Sequence, residues 1–192
     1  MTQRNLWFSS YFYRKIRFIK METNSVSFFS DKHYSGFKDK PLVLIWNIKN
    51  AENLGHIIRL VDNIGGEDVF LLEETFILRK SYIKRIAGMS YSHIKVHSVS
   101  FAEFLKILPD DYSLVAIETS EGSKSIYDVK LPTKIAFLLG NESYGIPSEG
   151  IIQCSQSVYI PMIGKNKSMN ISHALTVSLF EWQRQQLFSK LS

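Results

Sequence analysis

Residues 42–72 read LVLIWNIKNAENLGHIIRLVDNIGGEDVFLL, and the order of patterns in this stretch decides the fold class. Leu42–Trp46 is a continuous apolar run, the signature of a buried strand. From 53 to 64 the apolar residues Leu54, Ile57, Ile58, Val61 and Ile64 fall at helical spacing, until Gly65 and Gly66 stop the helix. Residues 69–72 are then a second apolar run. The alternation continues outward. Helices are predicted over 82–87, 101–108 and 170–187, and strands over 94–99, 114–117, 135–139 and 156–160. The runs at 114–117 and 135–139 read as central strands, and 94–99 as a strand with alternating apolar positions. Strand and helix in alternation predict an α/β fold, a parallel sheet with helices on both faces. No internal repeat or low-complexity stretch interrupts it. A single boundary near residue 40 divides a short extension, 1–40, from a domain over 41–192.

Composition narrows the class. At 192 residues there is room for one ordinary α/β domain and an appendage. Apolar residues at 45% suit a globular chain, and charged residues at 21% are too few for a disordered, solvating one. The single cysteine, Cys154, rules out an internal disulfide framework and a Cys-rich zinc site, and reads as a small buried apolar residue. No apolar run approaches the roughly 18–20 residues of a membrane helix, so a soluble, cytoplasmic protein without membrane contact is expected.

The formal charge of +5 is unevenly placed. Residues 1–40 hold eight Lys/Arg (Arg4, Arg14, Lys15, Arg17, Lys20, Lys32, Lys38, Lys40) against three acids, whereas 41–192 balance fifteen against fifteen. The same forty residues contain ten of the 25 aromatics, among them Trp7, Tyr11 and Phe18. Cations that meet phosphates beside rings that stack on bases suit a nucleic-acid contact. An amphipathic arm packed on the body or on a second subunit is the equal alternative. A secretory signal is not expected, because 5–13 is polar and is followed by charges rather than a small-residue cleavage site. Five bases and no acid in 1–20 leave a mitochondrial presequence open, and Met21 leaves open an alternative start.

In such a sheet ligands gather where strands end and loops diverge. The loop after the first strand carries Asn53, Gly55 and Arg59. Asn53 is expected to cap the helix, Gly55 to admit a close backbone neighbour, and Arg59 to break an apolar face with a permanent cation. The loop after 135–139 runs Gly140, Asn141, Glu142, Ser143, Tyr144, Gly145, Ile146, Pro147, a tight backbone surface suited to a flat polar ligand. It matches neither a P-loop nor the dinucleotide-binding glycine pattern. The third loop follows 156–160 and leads through Pro161, Met162, Ser168, Met169 and Asn170 into the last helix, with Ser168 or Asn170 as its cap. Lys165 and Lys167 there are either phosphate contacts or solvated loop residues. His56, His93, His97 and His173 do not form a metal-ligand pattern, so no metal is expected.

Together, in this order and spacing, the loops resemble the SpoU family of the SPOUT superfamily, RNA ribose 2′-O-methyltransferases. The matching residues are Asn53, Gly55 and Arg59; Leu139, Gly140, Asn141, Glu142 and Gly145; and Ile160 to Met162 with Ser168 to Ser172, Met169 standing where leucine is usual. The resemblance implies a deep trefoil knot over about 138–175, a homodimer, and S-adenosylmethionine held by Leu139, Gly140, Ile160 and Met169, with the strand end Ile117, Glu118 and Thr119 closing the adenine side. It implies a catalytic set of Arg59, Asn53, Glu142, Ser168 and Asn170. Arg59 would grip the acceptor phosphate rather than act as a base, since a guanidinium keeps its proton. The RNA would be tRNA in slight preference to rRNA. The competing readings are a non-catalytic RNA-binding relative and another doubly wound nucleotide enzyme such as a dehydrogenase.

Overall fold

The computed structural model describes residues 36–75 and 77–188. Nearly all of the basic aromatic extension therefore lies outside the described residues, as do the presequence and Met21 expectations. Residues 37–40, its last part, are tied to the body. The Phe37 ring meets Trp182 edge-on at 4.9 Å, Lys40 pairs with Glu67, and Tyr112 donates to the Lys40 carbonyl at 2.9 Å.

Seven strands form one parallel sheet in the order β3-β2-β1-β6-β4-β7-β5. They are β1 (Leu42–Trp46), β2 (Asp68–Leu72), β3 (Lys95–Val99), β4 (Ser113–Ile117), β5 (Lys124–Ser125), β6 (Ile135–Leu139) and β7 (Gln156–Tyr159). The helices are α1 (Ala51–Asn63), α2 (Lys80–Ala87) with a 3-10 turn over Gly88–Ser92, α3 (Phe101–Ile107), α4 (Ser148–Ile152) and α5 (Ile171–Phe188). β6 is buried along its whole length because it lies between β1 and β4.

Alternate residues of each strand feed two cores. Val43, Ile45, Val69, Leu71 and Phe137 pack with Leu54, Ile57 and Ile58 of α1 and Leu175, Leu179 and Trp182 of α5. Leu44, Trp46, Phe70 and Leu138 pack on the other face with Phe101 and Phe104 of α3, and Ile151 of α4 adjoins them. Helices thus cover both faces, as the alternation predicts. Trp182 is fully buried, yet its indole N–H is satisfied by the Pro132 carbonyl at 2.9 Å. Gln185 adds two bonds to the same segment, accepting from Leu131 N at 2.8 Å and donating to the Val129 carbonyl at 3.0 Å.

Three local expectations are corrected. Asn50, not Asn53, caps α1, its side chain accepting from Glu52 N at 2.8 Å; Asn53 lies within the first turn and is buried. Asn50 and Asn53 are both good cap residues, and only the end of β1 fixes where the helix starts. β3 alternates in sequence but has little buried face, with Val96 41% exposed, because it is an edge strand. Cys154 is half-buried rather than buried, its Sγ on the Gly150 carbonyl, and burial pushes the thiol up to about 12. Gly55 does admit a close neighbour: a Cβ there would lie 2.6 Å from Ile86 Cβ, so α1 and α2 meet at that point.

Candidate active site

The strand registers align the C-terminal ends of β1, β6 and β4: Ile45 is opposite Leu139, and Leu139 opposite Ile117. The loops leaving these ends surround a cavity of about 830 Å³. Asn53, Leu139, Gly140, Glu142, Ser168, Met169 and Asn170 all line it. A smaller adjoining cavity of about 180 Å³ is lined by Thr119, Ile160, Ser168 and Met169. Every residue expected to hold the cofactor therefore borders one cavity or the other.

A chain of side-chain hydrogen bonds joins the three loops. Asn53 Nδ2 donates to Glu142 Oε1 at 3.1 Å, and Asn170 Nδ2 donates to Asn53 Oδ1 at 2.9 Å. Asn170 Oδ1 in turn accepts from the Ser172 backbone N–H at 2.8 Å and the Ser172 hydroxyl at 2.7 Å, capping α5. Glu142 Oε2 faces Lys49 N at 3.4 Å. Asn53 and Ser172 are each about 5% exposed, so a break in this chain would strand buried polar groups.

The Gly140–Pro147 turn is held by its own backbone. Asn141 and Gly145 exchange two N–H···O bonds of 3.0 Å, and Asn141 Nδ2 reaches back to the Asn47 carbonyl at 2.6 Å. Glycine is required at both ends. A Cβ on Gly140 would lie 2.3 Å from the Gly145 carbonyl carbon, and Gly145 has φ +72° with the Glu118 carboxylate against it. Glu118 Oε2 also accepts from Ile146 N at 3.0 Å. Glu118 borders both cavities; the sequence places it in the strand end Ile117–Thr119 but does not foretell that it holds this turn. The available signal was a carboxylate placed directly after an apolar strand.

Not every expected residue joins the network. Ser168 does not cap α5; its hydroxyl donates to Asn166 Oδ1 at 2.9 Å. Lys167 donates to the Met162 carbonyl at 2.6 Å. Arg59 is exposed on α1, lines neither cavity, and makes no hydrogen bond or ion pair among the described residues. His173 is exposed and lines neither cavity. His93 pairs with Asp62 at 3.3 Å and His97 with Asp68 at 2.7 Å, and among the described residues no group of three His, Cys, Asp or Glu could hold a metal ion.

The family model described as SpoU rRNA Methylase family matches residues 40–180, which contain all three loops. The chain belongs to this family. It is 28% identical over 155 residues to the 23S rRNA (guanosine-2′-O-)-methyltransferase RlmB of Haemophilus influenzae, covering 79% of this chain and 63% of that one. It is 26% identical to the tRNA (guanosine(18)-2′-O)-methyltransferase of Thermus thermophilus, covering 76% and 75%. A solved structure of an AdoMet-bound rRNA methyltransferase from Sinorhizobium meliloti superposes with a TM-score of 0.71 at 25% identity, over 79% of this chain and 61% of that one. The chain spans about three fifths of the length of the first of these relatives. Among the described residues no helix is long and apolar enough to cross a membrane.

Proposed function

We propose that this chain transfers the methyl group of S-adenosylmethionine to a ribose 2′-hydroxyl of structured RNA. The observation that carries the reading is the Glu142–Asn53–Asn170 chain, which unites three distant family motifs at one cavity. The donor set also suits the cofactor. Ile117, Leu139, Met169 and Ala174 offer apolar walls for a flat ring, and Glu118 and Glu142 place two carboxylates around the cavity where only Lys49 is cationic. When bound, the cofactor supplies a methyl group already activated by a positive sulfur. The residues that would hold it are Leu139, Gly140, Thr119, Ile160 and Met169.

The chain's own task is orientation and care of the acceptor's proton. Asn53 and Glu142 fix the loop after β6 against α1, and Asn170 fixes the start of α5, so these three position the loops. Ser168 borders both cavities with an exposed hydroxyl and would meet the ribose. Arg59, without a partner among the described residues, would clamp the phosphate next to the acceptor, its positive charge favouring the developing alkoxide while a phosphate oxygen or water takes the proton. Its exposure on α1 fits a homodimer in which that face meets the second copy's site. A knot over about 138–175 is part of the same reading. A tRNA acceptor is slightly favoured over rRNA, since the Thermus thermophilus tRNA enzyme is matched over more of its length than the Haemophilus influenzae rRNA enzyme, 75% against 63%.

The test is labelled methyl transfer from S-adenosylmethionine to total RNA, followed by mapping of 2′-O-methyl marks with and without the gene. Cofactor binding with no transfer to any RNA would leave the non-catalytic RNA-binding reading instead. Arg59→Ala should abolish transfer with cofactor binding intact, and full activity in that variant would remove Arg59 from the mechanism.

A further inference from the structure

A second basic region lies within the charge-balanced part of the chain. Residues 75–102 contain no Asp or Glu and five Lys/Arg. Four of these, Arg79, Lys80, Lys84 and Arg85, are exposed on or directly before α2, and none has a carboxylate partner among the described residues. Three other cations do have such partners: Lys40 pairs with Glu67, Lys134 with Asp39 and Asp111, and Arg184 with Glu181. What sets the strip apart is density, four exposed cations within the seven residues 79–85 and no acid among them. Lys95, at the far end, also stands apart, because it is among the cations acting on Glu67.

Helix stability does not account for the cluster. Lys84 and Arg85 in the last turn complement the helix dipole, but Arg79 at the N-cap and Lys80 at the first position oppose it. Neither an acidic residue in the first turn nor a side-chain cap offsets them. By contrast, α1 begins with Asn50 and Glu52, and α3 with a complete capping box of Ser100 and Glu103. Two of the cations lie on rings instead of acids: Arg85 is 4.7 Å from the Tyr82 centroid and Lys84 is 6.0 Å from that of Tyr91. Both rings are partly exposed.

The strip adjoins the site. The Tyr82 hydroxyl donates to Glu52 Oε2 at 3.2 Å, and Glu52 lies between Ala51 and Asn53, which line the large cavity. We propose that Arg79, Lys80, Lys84 and Arg85 form a phosphate-binding strip that seats the RNA backbone beside the cavity. The contact proposed is to the phosphates, whose charge all four cations complement, and so carries no sequence information directly. The inference rests on RNA being the acceptor.

The experiment uses the full chain and unfractionated tRNA, with affinity measured across a salt series. The triple variant K80Q/K84Q/R85Q should bind at least about tenfold more weakly. Its log–log salt slope should fall by roughly two to three, about 0.7 to 0.9 for each phosphate no longer neutralised. The control K106Q/K124Q/K130Q removes the same charge from other exposed sites and should bind like the parent. A thermal shift induced by S-adenosylmethionine confirms that each variant is folded; if the triple variant is not, the single K80Q and R85Q substitutions should each weaken binding about threefold. Equal weakening in triple variant and control, or unchanged affinity and slope in the folded triple variant, would overturn the strip. So would loss of binding to phosphatidylserine-containing vesicles with RNA affinity unchanged. Absence of methyl transfer by the parent chain would instead count against the functional reading, so the two failures are distinct.

Discussion

The loop after β6 and the loop after β7 border the same cavity but are built in opposite ways. Residues 140–147 are fixed by paired backbone bonds, by Asn141 on the Asn47 carbonyl and by Glu118 on Ile146 N. Residues 163–170 are exposed throughout, and Lys167 and Ser168 bond within the loop, to Met162 and Asn166. Asn170 is the point where the second loop is tied to the first, through Asn53. One wall of the cavity is set by the fold, and the other presents side chains to whatever enters. Substitutions in the first wall should therefore cost stability and activity together, and those in the second should cost activity alone.

The largest effect is expected at Gly140. A methyl group there collides with the backbone of Gly145, so Gly140→Ala should destabilise the chain by roughly 3 kcal/mol in urea unfolding and abolish cofactor binding. A stable variant that binds normally would break the contrast between the loops. Glu142→Ala comes next. It leaves the Nδ2 of buried Asn53 without its acceptor and should lower stability by about 2 kcal/mol, with a clear drop in methyl transfer. Unchanged melting would show that the two loops do not depend on their bridge. Ser168→Ala should have the smallest effect on stability, within about 0.5 kcal/mol, while transfer falls roughly tenfold to a hundredfold. A large fall in melting temperature with the rate retained would reverse the assignment of that wall.

Much of the architecture was legible because buried parallel strands and amphipathic helices leave different periods in the sequence. The runs at 42–46, 69–72 and 135–139 reappear as β1, β2 and β6 within a residue. β5 was not legible: its two residues, Lys124 and Ser125, owe their strand geometry to pairing with β7. At the site, Asn53, Glu142 and Asn170 were found through motif spacing, but their direct bonding across 89 and 117 residues was not deducible from it. The support Glu118 gives to Ile146 was not legible, because a lone carboxylate after a strand resembles any surface acid until the turn it holds is visible. Arg59 carries the strongest motif signal, yet it stands outside the cavity of a single chain.

The placement of β6 bears on how the protein is made. This strand is both the centre of the sheet and a late arrival in synthesis, since β1 must wait about 90 residues for it. Until residue 139 has emerged, β1 and β4 each present a bare hydrogen-bonding edge to the crowded cell. Folding of the nascent chain is accordingly expected to be slow and open to self-association, with helper proteins that shield strand edges acting within that interval.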